Sequence, residues 1–378
     1  MGSLAAHSLA TLGYKISILE KNPIFNKHQY PDKRTTAISE GSKYFLKNIG
    51  VWRDLEKFCE PIKKIKVINR KLTNFLDFDN ERRSSNLGYI VRNQNFMDVV
   101  YSKLRINKNI KIFNNVNIKN FNLNNEKIIT NCFGLKIVSD INLAADGKNS
   151  FVKGFFKTPR FYKDYKKNAL VLTLSHSGNH SGTAFEFFYK NGPLAILPMK
   201  KTNGEFCSSI VWTSNTQHIK DLVQMRNDKL ALVLENETQS SVGKINQIYS
   251  KQVFPLNAHL NSKFFEERTI YIGDAAHSFH PIAGQGWNLG VSDIEKLFTL
   301  AEEYKKLGID LGGNSFCKKY HNNTFYKAFR LYQITDKLDS FFKIQNIPTN
   351  FIRSLGITII NKKKRLKNLI SDFAMGIN

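Results

Sequence analysis

Thr269-Ile270-Tyr271-Ile272-Gly273-Asp274-Ala275-Ala276-His277-Ser278-Phe279-His280-Pro281-Ile282-Ala283-Gly284-Gln285-Gly286-Trp287-Asn288-Leu289-Gly290 is the stretch from which the rest of the chain can be read. A short apolar strand ends in Gly273-Asp274, which places a carboxylate at the strand terminus, where it can bind a sugar hydroxyl. Gly284-Gln285-Gly286 then opens a helix, and the exposed backbone N–H groups and positive dipole end of such a helix stabilise an anion. The whole run is too long and too specific to arise by chance.

The N-terminus carries a related half-motif. Gly2 to Gly13 has small and apolar residues at helical spacing and closes on a glycine suited to a left-handed helix exit. Tyr14 to Glu20 then reads as a strand ending in an acidic residue. A helix followed by a strand ending in Glu is the second half of a dinucleotide-binding βαβ unit, whose terminal carboxylate accepts hydrogen bonds from ribose hydroxyls. Glu20 is the candidate. Gly2 can serve only as the third glycine of G-x-G-x-x-G, so the first strand and two glycines would lie before Met1. Roughly ten added residues complete the unit, so a displaced start site is expected. By itself the half-motif is also satisfied by an ordinary buried helix-strand pair.

Two further segments add ambiguous signals. Arg34, in Asp32-Lys33-Arg34-Thr35-Thr36-Ala37-Ile38-Ser39 ahead of an amphipathic stretch Tyr44 to Trp52, can anchor a phosphate or carboxylate, or be a solvated loop residue. Ile137 to Ser150 reads as an apolar run delivering an Asp146-Gly147 turn, with small residues that suit close backbone contact with a ligand.

Length and composition bound the alternatives. The 378 residues, 42% hydrophobic with 29 Phe, can bury a core of one large α/β domain or two packed ones. The formal charge of +25 invites a nucleic-acid or anionic-membrane partner. Lys, Asn, Ile and Phe are all abundant, however, and A/T-rich codons produce that bias without selection for charge. The basic residues are scattered except for Lys362-Lys363-Lys364-Arg365 with Lys367, and no stacking or groove-reading motif accompanies them, which excludes a nucleic-acid binder. Cys59, Cys132, Cys207 and Cys317 lack CxxC spacing, so a disulfide framework or a metal site is not expected. No apolar run approaches a membrane span, and no export signal is read at the N-terminus.

With these residues in place, the chain resembles the class A flavin-dependent aromatic hydroxylases of the p-hydroxybenzoate hydroxylase fold, and most closely the ubiquinone-biosynthesis hydroxylases of the UbiH/UbiF/UbiI type. Gly273 to Gly290 matches that group's G-[DN]-A-A-H-x-x-H-P-I-A-G-Q-G-x-N-L-G. Arg34 to Ser39 resembles its D-x-R-x-x-A-L-S element, and Ala145 to Ser150 its A-D-G-x-x-S element. Ala184-Phe185-Glu186 with Gly192 to Pro198 resembles the strand pair over the substrate cavity. Arg330, Thr335-Asp336 and Ala374-Met375-Gly376 resemble its C-terminal helices. The departures are the absent first strand, Phe187 where an arginine is usual, and Lys153 where an arginine often follows the Asp-Gly element.

The resemblance implies an α/β fold: a Rossmann-like FAD-binding domain lacking its first strand, an inserted β-sheet substrate domain, and C-terminal helices. The FAD-binding domain is expected at 1-70, 88-160 and 260-300, the substrate domain at 71-87 and 161-259, and a helical region at 301-378. The substrate block would run from Ala169 to Trp212, with Phe185, Phe187, Phe188 and Tyr189 on strands and a helix near Ile219 to Leu234. Implied cofactors are FAD, tightly bound, and NADPH or NADH as transient co-substrate; no metal is implied. The implied reaction is hydroxylation of a polyprenylated phenol by O2 through a flavin C4a-hydroperoxide. Another aromatic hydroxylase of this fold, or a flavin-free scaffold in a quinone-synthesis complex, remain alternatives.

In this reading Glu20 binds the adenosine ribose, Arg34 the ribityl-phosphate region, and Asp274 the pyrophosphate-ribityl segment. Pro281, Gly284, Gln285 and Gly286 line the flavin ring, and Gly2, Asp146, Gly147, Gly273, Ala276 and Asn288 complete the cofactor contacts. His277 and His280 tempt a general-base role, as imidazoles can serve as acid or base near neutral pH, but a role bracing their loop is expected. A cytoplasmic enzyme is expected, docked peripherally on the inner face of the membrane through the Lys362 to Lys367 cluster, with a ubiquinone-biosynthesis complex as a further partner.

Overall fold

The computed structural model describes the chain apart from residues 24–31, 70–74, 80–85, 125, 190, 280–284 and 344–378. Pro281, Gly284, His280, Met375 and the Lys362 to Lys367 cluster therefore lie outside the described residues.

The N-terminal helix, Gly2–Thr11, is enclosed almost all round, with Leu4, Ala5, Ala6, Leu9 and Ala10 buried. Its small residues make this possible: a Cβ on Gly2 would stand 3.1 Å from Ala145 Cβ, so helix and strand approach as closely as glycine allows. The helix exits at Gly13, whose φ of +84° an L side chain adopts only with strain. The strand Ile16–Leu19 follows and pairs in parallel with Ile110–Phe113.

A second parallel pair brings Asn142–Ala144 beside Thr269–Tyr271, with Leu143 opposite Ile270. The apolar run expected to lead straight to Asp146-Gly147 is thus divided. Leu135–Ser139 belongs to an antiparallel meander, and only the piece after Asp140 enters the parallel sheet. The meander strand alternates between half-buried and exposed positions, whereas Asn142–Ala144 has no outward face. The amphipathic stretch expected over Tyr44 to Trp52 is the helix Glu40–Asn48, begun by Ser39, whose Oγ accepts from Ser42 N at 3.2 Å.

An eight-stranded sheet forms the other half of the molecule. Its order is His277–Ser278, Ile245–Asn261, Arg160–His176, Glu205–Asn215, Gly192–Thr202, Thr183–Tyr189, Lys64–Asn69 and Phe75–Asp79. All neighbours are antiparallel except Thr183–Tyr189 with Lys64–Asn69. Two helices, Thr216–Gln224 and Asn227–Glu237, cover one face. A single helix was expected there; Met225 leaves helical geometry with ψ at 143°, and Arg226 caps the second helix in an extended conformation. Both helices bury leucines against Leu170, Leu172, Phe187, Leu194 and Trp212. Period-two alternation turns the next residues of these strands to the opposite face, where the cleft lies.

The long helices Gln285–Leu307 and Asn314–Lys343 pack on the parallel sheets and share one core with the N-terminal helix. Among the described residues no helix is long and apolar enough to cross a membrane. All four cysteines are buried, and burial pushes the thiols of Cys59 and Cys317 up to about 12.

Candidate active site

The carboxyl ends of the parallel strands Ile16–Leu19, Asn142–Ala144 and Thr269–Tyr271 converge on one cleft, the position where open α/β sheets place ligands. Its volume is about 1190 Å³, large enough for a dinucleotide and a second molecule. One end is polar, bounded by Glu20, Arg34 and Asp274; the other is the apolar face of the large sheet.

Glu20 follows its strand directly, and its Oε1 accepts from the backbone N–H groups of Lys21 at 3.0 Å and Asn22 at 3.4 Å. Tyr101 stands nearby on the cleft wall; burial, and then the charge of Glu20, push its phenol above the ordinary value. Asp274 sits in the single helical turn Gly273–Ala275 and is exposed to the cleft while Gly273, Ala275 and Ala276 around it are buried. Its carboxylate makes no hydrogen bond among the described residues. The Met1 amino group is close to it: burial pulls that amine down, and the Asp274 charge offsets part of the fall.

Arg34 immediately precedes the strand Thr35–Ile38 rather than a helix, and holds Asp32 in a fork, Nε to Oδ1 at 2.8 Å and Nη2 to Oδ2 at 2.7 Å. Burial raises the Asp32 carboxyl, but hydrogen bonds from Arg34 and Asn93 outweigh it and hold the group below the usual range. The guanidinium also lies 5.1 Å over the Phe254 ring, which fixes its plane at the cleft mouth.

Gln285, Gly286 and Trp287 form the first turn of the Gln285–Leu307 helix and line the cleft, with no acidic residue in that turn to oppose the dipole. Asn288 anchors this turn. Its Nδ2 donates to Ala37 O at 2.9 Å, and its Oδ1 accepts from Ser39 N and Ser42 Oγ, both at 2.9 Å. Farther along the helix, Asp293 is buried at 1% exposure, 2.7 Å from His277 Nε2, and also accepts from Gly273 N at 3.3 Å. His277 is thus held away from the cleft, stacked on Phe279 with ring centroids 5.1 Å apart.

Of the residues singled out from sequence, Glu20, Arg34, Gly147, Asp274, Gln285, Gly286 and Asn288 line the cleft together. Gly2, Asp146, Gly273 and Ala276 stand behind it: Gly2 sets the helix-strand approach, Asp146 Oδ2 accepts from Val152 N at 3.2 Å, and Ala276 is core. Gly273 is also where its neighbours close in, since a Cβ there would meet Met1 Cγ at 2.6 Å. Lys153 turns to His259, 3.3 Å away, and is pulled down to about 8, chiefly by burial.

Asp293 escaped the motif reading, and Glu186 was named there only as part of the strand pair over the cavity, with no role of its own. Asp293 was legible as a lone acid on the buried stripe of a helix, and Glu186 as a lone acid in the apolar strand Thr183–Tyr189. Glu186 faces the cleft, and burial raises its carboxyl to about 7.

The donor set suits FAD. A strand-end carboxylate for ribose, a carboxylate exposed to the cleft, a guanidinium at the mouth and a helix turn without acid among the described residues face one continuous space.

Comparison with known proteins agrees with this geometry. A family model described as an FAD binding domain matches residues 1–320. A ubiquinone hydroxylase, UbiM, of Neisseria meningitidis is 26% identical over 97% of this chain and 80% of its own length. A second, UbiL of Rhodospirillum rubrum, is 26% identical over 100% of this chain and 87% of that protein. Among solved structures, p-nitrophenol 4-monooxygenase PnpA from Pseudomonas putida superposes with a TM-score of 0.79 at 16% identity, over 100% of this chain and 95% of that one.

Proposed function

Because the chain belongs to the FAD-binding domain family, we propose that it is an FAD-dependent monooxygenase that hydroxylates the aromatic ring of a polyprenylated phenol in ubiquinone biosynthesis. The observation that carries this reading is the continuity of the cleft from the Glu20 and Asp274 rim to an apolar sheet wall. A cofactor and an aromatic ring can meet there without a barrier. Bound FAD, reduced by NADPH or NADH, supplies the activation of O2 from which one oxygen atom is transferred to the ring.

The chain's own part is binding, orientation and exclusion of water. Glu20 accepts the adenosine ribose hydroxyls, Arg34 pairs with the phosphate region, and Asp274 accepts ribityl hydroxyls. Gln285 and Gly286, with Pro281 and Gly284 outside the described residues, border the flavin ring. The helix start there favours negative charge on the ring by about 0.3–1 kcal/mol, more if water is excluded. Val67, Ala195 and Val211 give the substrate ring a dry wall.

A substrate with a polyprenyl tail dissolves in lipid. The reading therefore extends to a cytoplasmic enzyme working at the inner membrane face, with Lys362 to Lys367 as the docking cluster and a ubiquinone-biosynthesis complex as its setting. Flotation with anionic liposomes tests the docking; binding unchanged by Lys362/Lys363/Lys364→Glu would return the charge to codon bias.

The central test is direct. The purified protein should carry FAD, oxidise NAD(P)H faster with a prenylphenol present, and restore ubiquinone in a hydroxylase-deficient strain, the lost intermediate identified by mass. A protein that binds no flavin would sink the enzyme reading.

A further inference from the structure

We infer that Glu186 is the catalytic proton acceptor for the substrate's phenolic hydroxyl, its carboxylate taking the O–H proton from a ring lying against the sheet wall; this rests on the hydroxylase reading above. The argument starts with strand parity. On Thr183–Tyr189 the odd positions Phe185, Phe187 and Tyr189 pack toward the helix-covered core, and Phe187, at 1% exposure, is fixed there. The even positions Ala184, Glu186 and Phe188 line the cleft, which Phe185 also borders. Register sets Glu186 between Val67 on one neighbouring strand and Ala195 on the other.

Among the described residues nothing around it neutralises it. The cleft faces of the flanking strands offer Ile65, Val67, Pro193, Ala195 and Leu197, and the next strand adds Val211 and Thr213. Lys64 and Lys66 fall at positions of opposite parity to Ile65 and Val67. The charged groups elsewhere along the cleft, among the described residues, are Glu20, Asp32, Arg34, Asp98, Arg105 and Asp274, and burial alone accounts for the raised carboxyl of Glu186. Among the described residues it has no hydrogen-bond or ion-pair partner. An ionisable group held in an apolar wall with no structural partner costs stability, and a fold retains such a cost where chemistry uses the group.

The chemistry matches the site. The phenol O–H bond breaks, the proton goes to a Glu186 oxygen, and the electron pair stays on the phenolate, which makes the ring more electron-rich; no atom changes oxidation state. The proton returns when the hydroxylated product reprotonates. An ordinary phenol titrates near 10. With the carboxyl raised from 4.5 to about 7, the proton-affinity gap shrinks from more than five powers of ten to about three. His277 is held by Asp293 outside the cleft and does not compete for the role.

The test is Glu186→Gln in the FAD-loaded enzyme with a prenylphenol. The amide keeps size and polarity, so FAD occupancy should match wild type. Product formation near pH 7.5 should fall about 10²–10⁴-fold, with KM changed far less than kcat. In wild type kcat/KM should rise through pH 7 and level off. In the variant that limb should vanish, and the deficit should shrink toward pH 10 as the phenol ionises unaided. On the O-methyl ether of the substrate, which has no proton to give, the two proteins should be equally slow. A fully FAD-loaded variant with wild-type product rate and an unchanged acid limb overturns the inference and leaves the hydroxylase reading standing. Wild-type protein that binds FAD but hydroxylates no phenol overturns the reading itself. Glu186→Asp is a second variant, expected to keep the acid limb at reduced rate; loss of that limb would also count against the proton-acceptor role.

Discussion

The two ends of the Gln285–Leu307 helix start and the wall of the large sheet treat buried polar groups in opposite ways. At the helix start, Asn288 holds Ala37, Ser39 and Ser42, and the buried Asp293 holds His277 and Gly273. On the sheet, Glu186 has none among the described residues and lies in an apolar surface. Paired polar groups specify a geometry, because breaking one strands another. A lone acid specifies nothing about the fold, and its distance from its ordinary titration is a standing cost. The helix start is therefore built for position and the sheet wall for reactivity.

The largest effect should come from cutting the helix-side network. Asp293→Ala removes the partner of His277 and the acceptor of Gly273 N–H, both buried, and should destabilise the fold by about 3–5 kcal/mol. Denaturant unfolding should show a lower midpoint at an unchanged slope; a shift under 1 kcal/mol would remove the distinction between the two regions.

Next comes the reverse effect on the sheet. A carboxyl raised on folding is neutral in both states below 4.5, so it costs nothing there. The cost grows as pH rises above 4.5 and is complete above about 7. At about 1.4 kcal/mol per pKa unit it is worth at most about 3.5 kcal/mol, less the screening by water in the cleft. Flavin-free Glu186→Gln should thus be more stable than wild type at pH 8 and equal to it at pH 4, measured by thermal or urea unfolding.

Asn288→Ala should cost about 2 kcal/mol, since three hydrogen bonds joining the helix start to the Thr35–Ile38 strand and Ser39 cap disappear. FAD occupancy should fall with it. The smallest effect on stability belongs to Asp274→Ala. This exposed carboxylate makes no hydrogen bond among the described residues, so unfolding should move by less than about 0.5 kcal/mol, while FAD affinity drops about tenfold or more. Full retention of FAD would remove Asp274 from the cofactor site.

The polar rim of the cleft was largely readable from local order. A strand ending in Glu20, a strand ending in Gly273-Asp274 and a glycine-opened helix at Gln285 are contiguous signals, and strand ends of a parallel sheet converge wherever the sheet forms. Readings failed where one stretch of sequence serves two neighbours. The Ile137 to Leu143 run divides between sheets, and the Ile219 to Leu234 helix breaks at Met225, because packing partners distant in sequence set those boundaries.

By itself the sequence determined the fold family and the polar residues that rim the cleft, because those are carried by short segments whose spacing is the chemistry. Only the tertiary structure decided which rim residues reach the cleft, and that Gly2, Gly273 and Ala276 support it from behind. It also decided that His277 is a brace and that Glu186 looks into an apolar cavity. The physical reason is that burial and partnership are properties of surfaces brought together. Asp293 and Glu186 are both lone acids in apolar segments; one meets a histidine 2.7 Å away and the other meets the cleft, and no pattern within either segment distinguishes the two.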